Sequence, residues 1–129
     1  MVVVDSNVWI DYLRHADSRP GARLDELLEL REVVLVGVVL AELLQGSTGE
    51  RDHARLEPAL EAAEYAEIER ASWARAGRLS RELRASGVQI PLTDLIIAAF
   101  AIEHEHELFT FDKDFQKVPG LRLFSWEDA

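Results

Sequence analysis

The 129-residue sequence contains no cysteine and few basic side chains, with 14 Lys and Arg against 24 Asp and Glu and a net charge of −10. The lack of cysteine excludes a disulfide framework, a thiolate metal site and a cysteine nucleophile. It fits a reducing compartment, so we expect a cytoplasmic protein. The acidic excess argues against broad nucleic-acid binding, which depends on clustered Lys and Arg. Either the partner is not a polyanion, or cations neutralise the acids at a site while the basic residues lie elsewhere.

Long hydrophobic runs are also missing. The longest, Val33 to Ala41, is about half as long as a membrane span. The N-terminal apolar run is interrupted by Asp5 well before it reaches the length of a secretory signal. The chain shows no repeat, linker or low-complexity tract, and its length suits one domain covering residues 1–129. We therefore expect one soluble domain that does not bind membranes.

Short Val-rich segments alternate with segments of helical periodicity. The predicted strands are Val2–Val4, Val33–Val36, Tyr65–Ile68, Leu108–Phe111 and Leu121–Phe124. The predicted helices are Ser6–Arg14, Ala22–Glu32, Val38–Gln45, Glu50–Glu64 (which Pro58 breaks or restarts), Glu69–Ala85 and Leu95–Ile102. This alternation predicts an α/β fold in three layers, with helices on both faces of a central, mostly parallel sheet of four or five strands.

Four acidic residues lie at positions where a carboxylate suggests a functional site. Asp5 and Asp112 each follow a predicted strand, Asp94 opens a helix with almost no polar face, and Glu42 lies among apolar neighbours. Each has an ordinary explanation as well: a helix cap for Asp5 and Asp94, a turn residue for Asp112, and a surface position for Glu42. Glu42 is the most informative, because an unpaired buried carboxylate is costly and something must compensate it.

Together the four acids predict a cation site. The carboxyl ends of parallel strands share one edge of the sheet, so one rim can collect all four side chains. At about 4 Å and an effective dielectric near 20, the repulsion within each like-charged pair costs roughly 4 kcal/mol. A divalent cation bound between the carboxylates makes the electrostatic energy of the site favourable. Oxygen ligands without cysteine or paired histidine favour Mg²⁺ or Mn²⁺ over zinc. Such an ion activates water and stabilises charge at a phosphoryl centre.

The motifs around these acids resemble the PIN-domain nucleases, and within them the VapC-type endoribonuclease toxins of bacterial toxin–antitoxin pairs. The resemblance covers essentially the whole chain. It is carried by the motifs VVVDSNVWI at Asp5, VVLAEL at Glu42, IPLTDLIIAA at Asp94 and LFTFDKDF at Asp112, which occur in the family's order.

The resemblance implies a metal-dependent endoribonuclease. Asp5, Glu42, Asp94 and Asp112 would hold Mg²⁺ or Mn²⁺, and a metal-bound water would attack phosphorus. The implied partners are an RNA substrate, a small cognate antitoxin and a second copy of the chain. The residues implied to hold the carboxylates in place are Asn7, Thr93 and Thr110.

Two assignments stay open. Asp114 is an alternative to Asp112 or shares its role. Four arginines at helical spacing, Arg75, Arg78, Arg81 and Arg84, form either a phosphate-binding track or an ordinary solvated helix face.

Three other classes compete with a nuclease. A haloacid-dehalogenase-like Mg²⁺-dependent phosphatase expects a second acid at position 7, where the chain has Asn7, and a receiver domain expects adjacent acids where Ser6 follows Asp5. A catalytically silent PIN-like interaction module predicts missing acids, and none of the four is missing.

Overall fold

The computed structural model describes residues 1–47 and 49–127. Within them one five-stranded parallel sheet has the order β3-β2-β1-β4-β5. The strands are β1 (Val2–Val4), β2 (Val33–Val36), β3 (Glu64–Ala66), β4 (Glu107–Phe109) and β5 (Arg122–Leu123). The helices are α1 (Ser6–Arg14), α2 (Arg19–Glu29), α3 (Gly37–Gly46), α4 (Gly49–Ala62), α5 (Arg70–Ala85) and α6 (Leu92–Glu103). A 3₁₀ turn spans Lys113–Lys117. No helix in the described ranges is long and apolar enough to cross a membrane.

The centre of the sheet is the N-terminal strand. Val3 of β1 is aligned with Val34 on one side and with Leu108 on the other. Every residue of β1 and β2 is buried, which requires helices on both faces of the sheet. The predicted three-layer α/β fold is confirmed, and the sheet is entirely parallel.

The strand order creates a switch point beside β1. The chain leaves β1 towards β2 and β3, and returns on the other side of β1 to form β4 and β5. In open parallel sheets, ligand sites form beyond the carboxyl ends of the strands at such a point. The residues that follow β1 and β4, beginning with Asp5 and Thr110, therefore occupy the position that the fold favours for chemistry.

The most buried helix is α6. All residues from Leu95 to Ala101 are buried, as expected for a helix that is apolar around its circumference. It packs against α5 and contacts α3 and β4. Because α6 is held from several sides, its first turn, which carries Asp94, has a fixed position relative to the sheet.

Two helices begin three residues earlier than expected. Helix α2 starts at Arg19 rather than at Ala22, because the Ser18 hydroxyl accepts a hydrogen bond from the Gly21 amide at 3.0 Å and Pro20 lies in the first turn. Helix α6 starts at Leu92 rather than Leu95, with Pro91 at its N-cap.

Two expectations about side chains within helices were wrong. Pro58 neither breaks nor restarts a helix, since α4 is continuous and buries Leu56 and Ala59 on either side of the proline. On a helical wheel of the predicted helix Glu69–Ala85, Trp73 shares one side with Ala76, Leu79 and Leu83. Trp73 is nevertheless 49% exposed, and the buried position belongs to its neighbour Ser72.

Candidate metal centre

Asp5 links the end of the central strand to the first helix. Its amide donates to the Phe109 carbonyl at 2.9 Å, which extends the pairing of β1 with β4. It is the N-cap residue of α1, and its side chain is only 5% exposed. Oδ1 accepts from the Ser6 amide at 2.8 Å and Oδ2 accepts from the Thr110 hydroxyl at 2.8 Å. Asp5 is therefore both a helix cap and a buried carboxylate at the switch point.

Burial raises the pKa of Asp5, the hydrogen bonds from Thr110 and Ser6 oppose that rise, and the charge of Asp112 adds to it. Both bonds donate to the ionised form, so they partly compensate the lost hydration. The carboxylate is thus held in place by neutral donors, with no basic residue among the groups that shift its pKa.

Two further contacts join the segments that follow β1 and β4. The Thr110 hydroxyl, which donates to Asp5, also accepts from the Asp112 amide at 3.1 Å. The Asn7 side-chain oxygen accepts from the Phe111 amide at 3.4 Å. These bonds fix the position of Asp112 relative to Asp5. Thr93, by contrast, is exposed and makes no side-chain hydrogen bond with the residues that the structure describes.

Glu42 approaches Asp5 from α3. Burial raises its pKa, the charge of Asp5 raises it further, and hydrogen bonding from the Ser6 side chain lowers it. Its Oε1 atom is buried and has no hydrogen-bond partner within the described ranges. This is the uncompensated carboxylate expected from the apolar sequence around Glu42. Ser6 was not identified as a site residue from the sequence, where it was only the first residue of a predicted helix.

Asp94 stands in the first turn of α6. The helix has no side-chain cap, so the Asp94 carboxylate is not used for capping. Burial raises the pKa of Asp94 to about 6, with further contributions from the charges of Asp5, Asp112, Glu42 and Asp114, in that order. The pKa of Asp94 is therefore raised by the charge of every other acid predicted for the site.

The two remaining acids have different surroundings. Asp112 is partly buried and caps the 3₁₀ turn, with Oδ1 accepting from the Asp114 amide at 2.9 Å. Asp114 is exposed, and its carboxylate pairs with the Lys117 ammonium at 3.2 Å. The carboxylate of Asp114 is already paired with a lysine. The amide of Asp112 is instead hydrogen-bonded to the Thr110 hydroxyl, which donates to Asp5. The geometry therefore favours Asp112 over Asp114 as a partner of Asp5.

We call Asp5, Glu42, Asp94 and Asp112 the acid cluster. In the described part of the chain, no three His, Asp or Glu side chains are already close enough to hold an ion together. The donor set is nevertheless suited to a hard divalent cation, because it consists of carboxylate oxygens and includes a buried oxygen without a partner. The raised pKa values of three members mark the uncompensated charge that a cation would neutralise.

The four arginines of α5 that the sequence singled out, Arg75, Arg78, Arg81 and Arg84, do not act on this cluster. Arg75 pairs with Glu103 of α6 at 2.5 Å and lowers the pKa of that carboxylate. The other three, Arg78, Arg81 and Arg84, are exposed. None of the four is among the charged groups that shift the pKa of Asp5, Glu42 or Asp94.

These features define an α/β protein with an acidic site at the switch point of a parallel sheet. The PIN domain family model matches residues 2–121, and the chain therefore belongs to that family. The sequence is 28% identical over 131 residues to "Ribonuclease VapC2" of Rickettsia felis, covering 97% of each chain. It is 25% identical over 125 residues to "Ribonuclease VapC11" of Mycobacterium tuberculosis, covering 94% of this chain and 93% of the other.

The fold is similar to a solved toxin–antitoxin structure. The crystal structure of VapBC2 from Rickettsia felis bound to a DNA fragment from their promoter has a TM-score of 0.81 at 25% identity, covering 96% of this chain and 98% of that chain. The match to the PIN family confirms the resemblance seen in the motifs. It also rules out the phosphatase-like and receiver-like alternatives.

Proposed function

We propose that the chain is a metal-dependent endoribonuclease that acts as the toxin of a toxin–antitoxin pair. The observation that carries the proposal is the acid cluster: the pKa values of Asp5, Glu42 and Asp94 are raised, and the buried Oε1 of Glu42 has no hydrogen-bond partner among the described residues. Membership of the PIN family and similarity to proteins named ribonucleases support RNA as the substrate.

The four carboxylates would hold Mg²⁺ or Mn²⁺, because hard oxygen donors suit these ions. When bound, the ion supplies an activated water and neutralises charge that develops at phosphorus. The protein's own contribution is to hold the oxygens in place. Thr110 and the Ser6 amide fix the two oxygens of Asp5, and Asn7 holds the segment that leads to Asp112.

Three further assignments complete the proposal. The supporting role of Thr93 depends on its place beside Asp94 in the family motif, since its side chain is exposed. We assign the fourth ligand position to Asp112 because Asp114 is paired with Lys117. The exposed arginines of α5 we assign to a solvated helix face, because they do not influence the acid cluster.

The proposed partners follow from similar proteins. The structural relative from Rickettsia felis is a VapBC complex, which supports a small antitoxin as partner. A homodimer and a cytoplasmic location are further proposals, the second because the chain has no cysteine.

The test is an RNA cleavage assay with Mg²⁺ or Mn²⁺ and with EDTA, comparing the wild type with Asp5→Asn and Asp94→Asn. We expect cleavage that EDTA abolishes and that each substitution lowers by at least about a hundredfold. Glu57→Gln is the matched control, since Glu57 is an exposed acid of α4 outside the cluster, and it should cleave like the wild type.

Cleavage that persists in both asparagine variants, or that ignores EDTA, would contradict the metal-nuclease proposal. A catalytically silent interaction module predicts a different result. It would bind an antitoxin but leave every RNA intact under all metal conditions.

A further inference from the structure

An open cleft of about 600 Å³ lies beside the acid cluster. Its walls come from the residues after β4, from the 3₁₀ turn, from the C-terminal segment and from the start of α2. The lining residues used below are Thr110, Phe111, Asp112, Lys113, Gln116 and Trp126. The acid cluster does not account for a cleft of this size, nor for its aromatic wall.

The cleft is continuous with the acid cluster through two residues that belong to both. Asp112 is a member of the cluster and lines the cleft. Thr110 also lines it, while its hydroxyl is bonded to Asp5 at 2.8 Å and to the Asp112 amide at 3.1 Å. A chain whose phosphate lies at the acid cluster therefore has an adjoining nucleotide within reach of the cleft.

One wall of the cleft consists of aromatic rings that pack against other rings. Trp126 meets Phe111 edge to face, with ring centroids 5.4 Å apart. The neighbouring ring of Phe124 packs on the buried Phe109 at 4.8 Å and lies under the Arg23 guanidinium at 5.3 Å. Trp126 itself is only partly buried. A braced, partly exposed indole is a surface on which an unstacked base can lie.

The rim carries a cation and an amide. Lys113 and Gln116 are exposed residues of the 3₁₀ turn, on the border of the cleft. Lys117 of the same turn is paired with Asp114, whereas Lys113 forms no ion pair within residues 1–47 and 49–127. In a chain with a net charge of −10, a lysine beside an aromatic wall is the local charge that a phosphodiester needs.

We propose that this cleft is a base-binding subsite, which receives one unstacked base of single-stranded RNA next to the phosphate at the acid cluster. The base stacks on Trp126, Lys113 contacts the adjoining phosphate, and the Gln116 amide faces the edge of the base. RNA as the ligand class rests on the proposed function. The cleft adds that the substrate must be unpaired at this position, because a base held in a duplex cannot enter.

The first test follows the fluorescence of Trp126 in the Asp5→Asn variant with Mg²⁺ present, because this variant is expected not to cleave RNA and the cation screens the repulsion between RNA and the remaining acids. The chain has three tryptophans, of which Trp9 is fully buried and Trp73 is removed by Trp73→Phe. In this background a short single-stranded RNA should quench the remaining exposed fluorescence saturably. The same RNA annealed to its complement should quench it at least about tenfold less effectively. Absence of quenching by the single strand, or equal quenching by the duplex, would overturn the subsite.

The second test uses cleavage with Mg²⁺ or Mn²⁺. Trp126→Ala should raise KM for single-stranded RNA by about tenfold or more, and Trp126→Phe, which keeps an aromatic face, should recover most of that loss. The matched control is Trp73→Ala, which removes an exposed tryptophan of α5 and should leave KM unchanged. A Trp126→Ala protein that melts like the wild type and keeps its KM would overturn the proposal.

The two proposals fail separately. Metal-dependent cleavage without quenching of Trp126 would support the nuclease proposal and contradict the base-binding subsite. Quenching of Trp126 by RNA that no form of the protein cleaves would support a nucleotide-binding cleft and contradict the nuclease proposal.

Discussion

Neutralising Asp94 should stabilise the metal-free protein. The pKa of Asp94 is raised from its ordinary value of 3.8 to about 6 by burial and by the charges of the other acids. A raised carboxyl pKa means that the folded state binds the proton more tightly than the unfolded state does. Ionised Asp94 therefore destabilises the fold, and Asp94→Asn removes the charge while keeping the shape of the side chain.

The size of this effect follows from the two pKa values. Their difference corresponds to at most about 3 kcal/mol, and solvent screening of the partly exposed side chain reduces it to about 1–2 kcal/mol. For a domain of this length, that is roughly 4–8 °C in Tm. The gain should be fully present above about pH 6, shrink as the pH falls through the interval between 6 and 3.8, and vanish below it, where wild-type Asp94 is protonated in both states.

The assay is thermal unfolding of the wild type, Asp94→Asn and the control Glu57→Gln, in EDTA at several pH values and then with Mg²⁺ at pH 7. A divalent ion should raise Tm of the wild type by mass action and raise that of Asp94→Asn much less, because the variant has lost a ligand. The reasoning is refuted if metal-free Asp94→Asn melts at or below the wild type at pH 7. An equal response of both proteins to Mg²⁺ would refute Asp94 as a ligand.

Three further outcomes are expected. Thr110→Val should lower the free energy of unfolding by about 1–3 kcal/mol in urea titrations, because Asp5 loses a donor, and Thr110→Ser should restore it. Leu95→Ala should cost about 2–5 kcal/mol in the same assay, since Leu95 is fully buried, against less than about 0.5 kcal/mol for Leu92→Ala, which changes a residue 54% exposed. Replacing Arg78, Arg81 and Arg84 with alanine should leave the salt dependence of RNA cleavage unchanged.

The first two strands and the first helix were predictable because local signals agree with the tertiary structure there. Val2–Val4, Val33–Val36 and Ser6–Arg14 have the expected bounds. Both strands are buried Val-rich runs, and each is followed within two residues by the start of a helix. The other three strands are shorter than expected, and β3 and β4 begin one residue earlier than predicted, because Glu64 and Glu107 already pair with the neighbouring strands.

Helix packing was less predictable because it depends on how closely two backbones approach. On α5 the helical wheel favoured Trp73 as a core residue, yet the small Ser72 is buried instead. The Trp73 indole N–H donates to the Ile68 carbonyl at 3.1 Å, so the ring folds back over the start of its own helix. A wheel gives the direction of a side chain from the axis, but it does not give the space available on that side.

The acid cluster was visible in the sequence because each carboxylate interrupts an apolar or strand-ending context, whereas the cleft was not. Phe111, Trp126 and Lys113 are residue types that occur in any core or on any surface. They become informative only when the C-terminal segment returns beside β4 and brings Trp126 onto Phe111. The residues between them in sequence carry no pattern that would reveal this contact.

Asp5 shows why the functional and the structural interpretation of one residue need not compete. One of its oxygens accepts from the Ser6 amide at the start of α1, and the other accepts from Thr110 across the sheet. Asparagine is also a good N-cap residue, so Asp5→Asn can keep the start of the helix while it removes the charge. A loss of cleavage in that variant, at an undiminished melting temperature, would therefore report on the charge in the acid cluster and not on the cap.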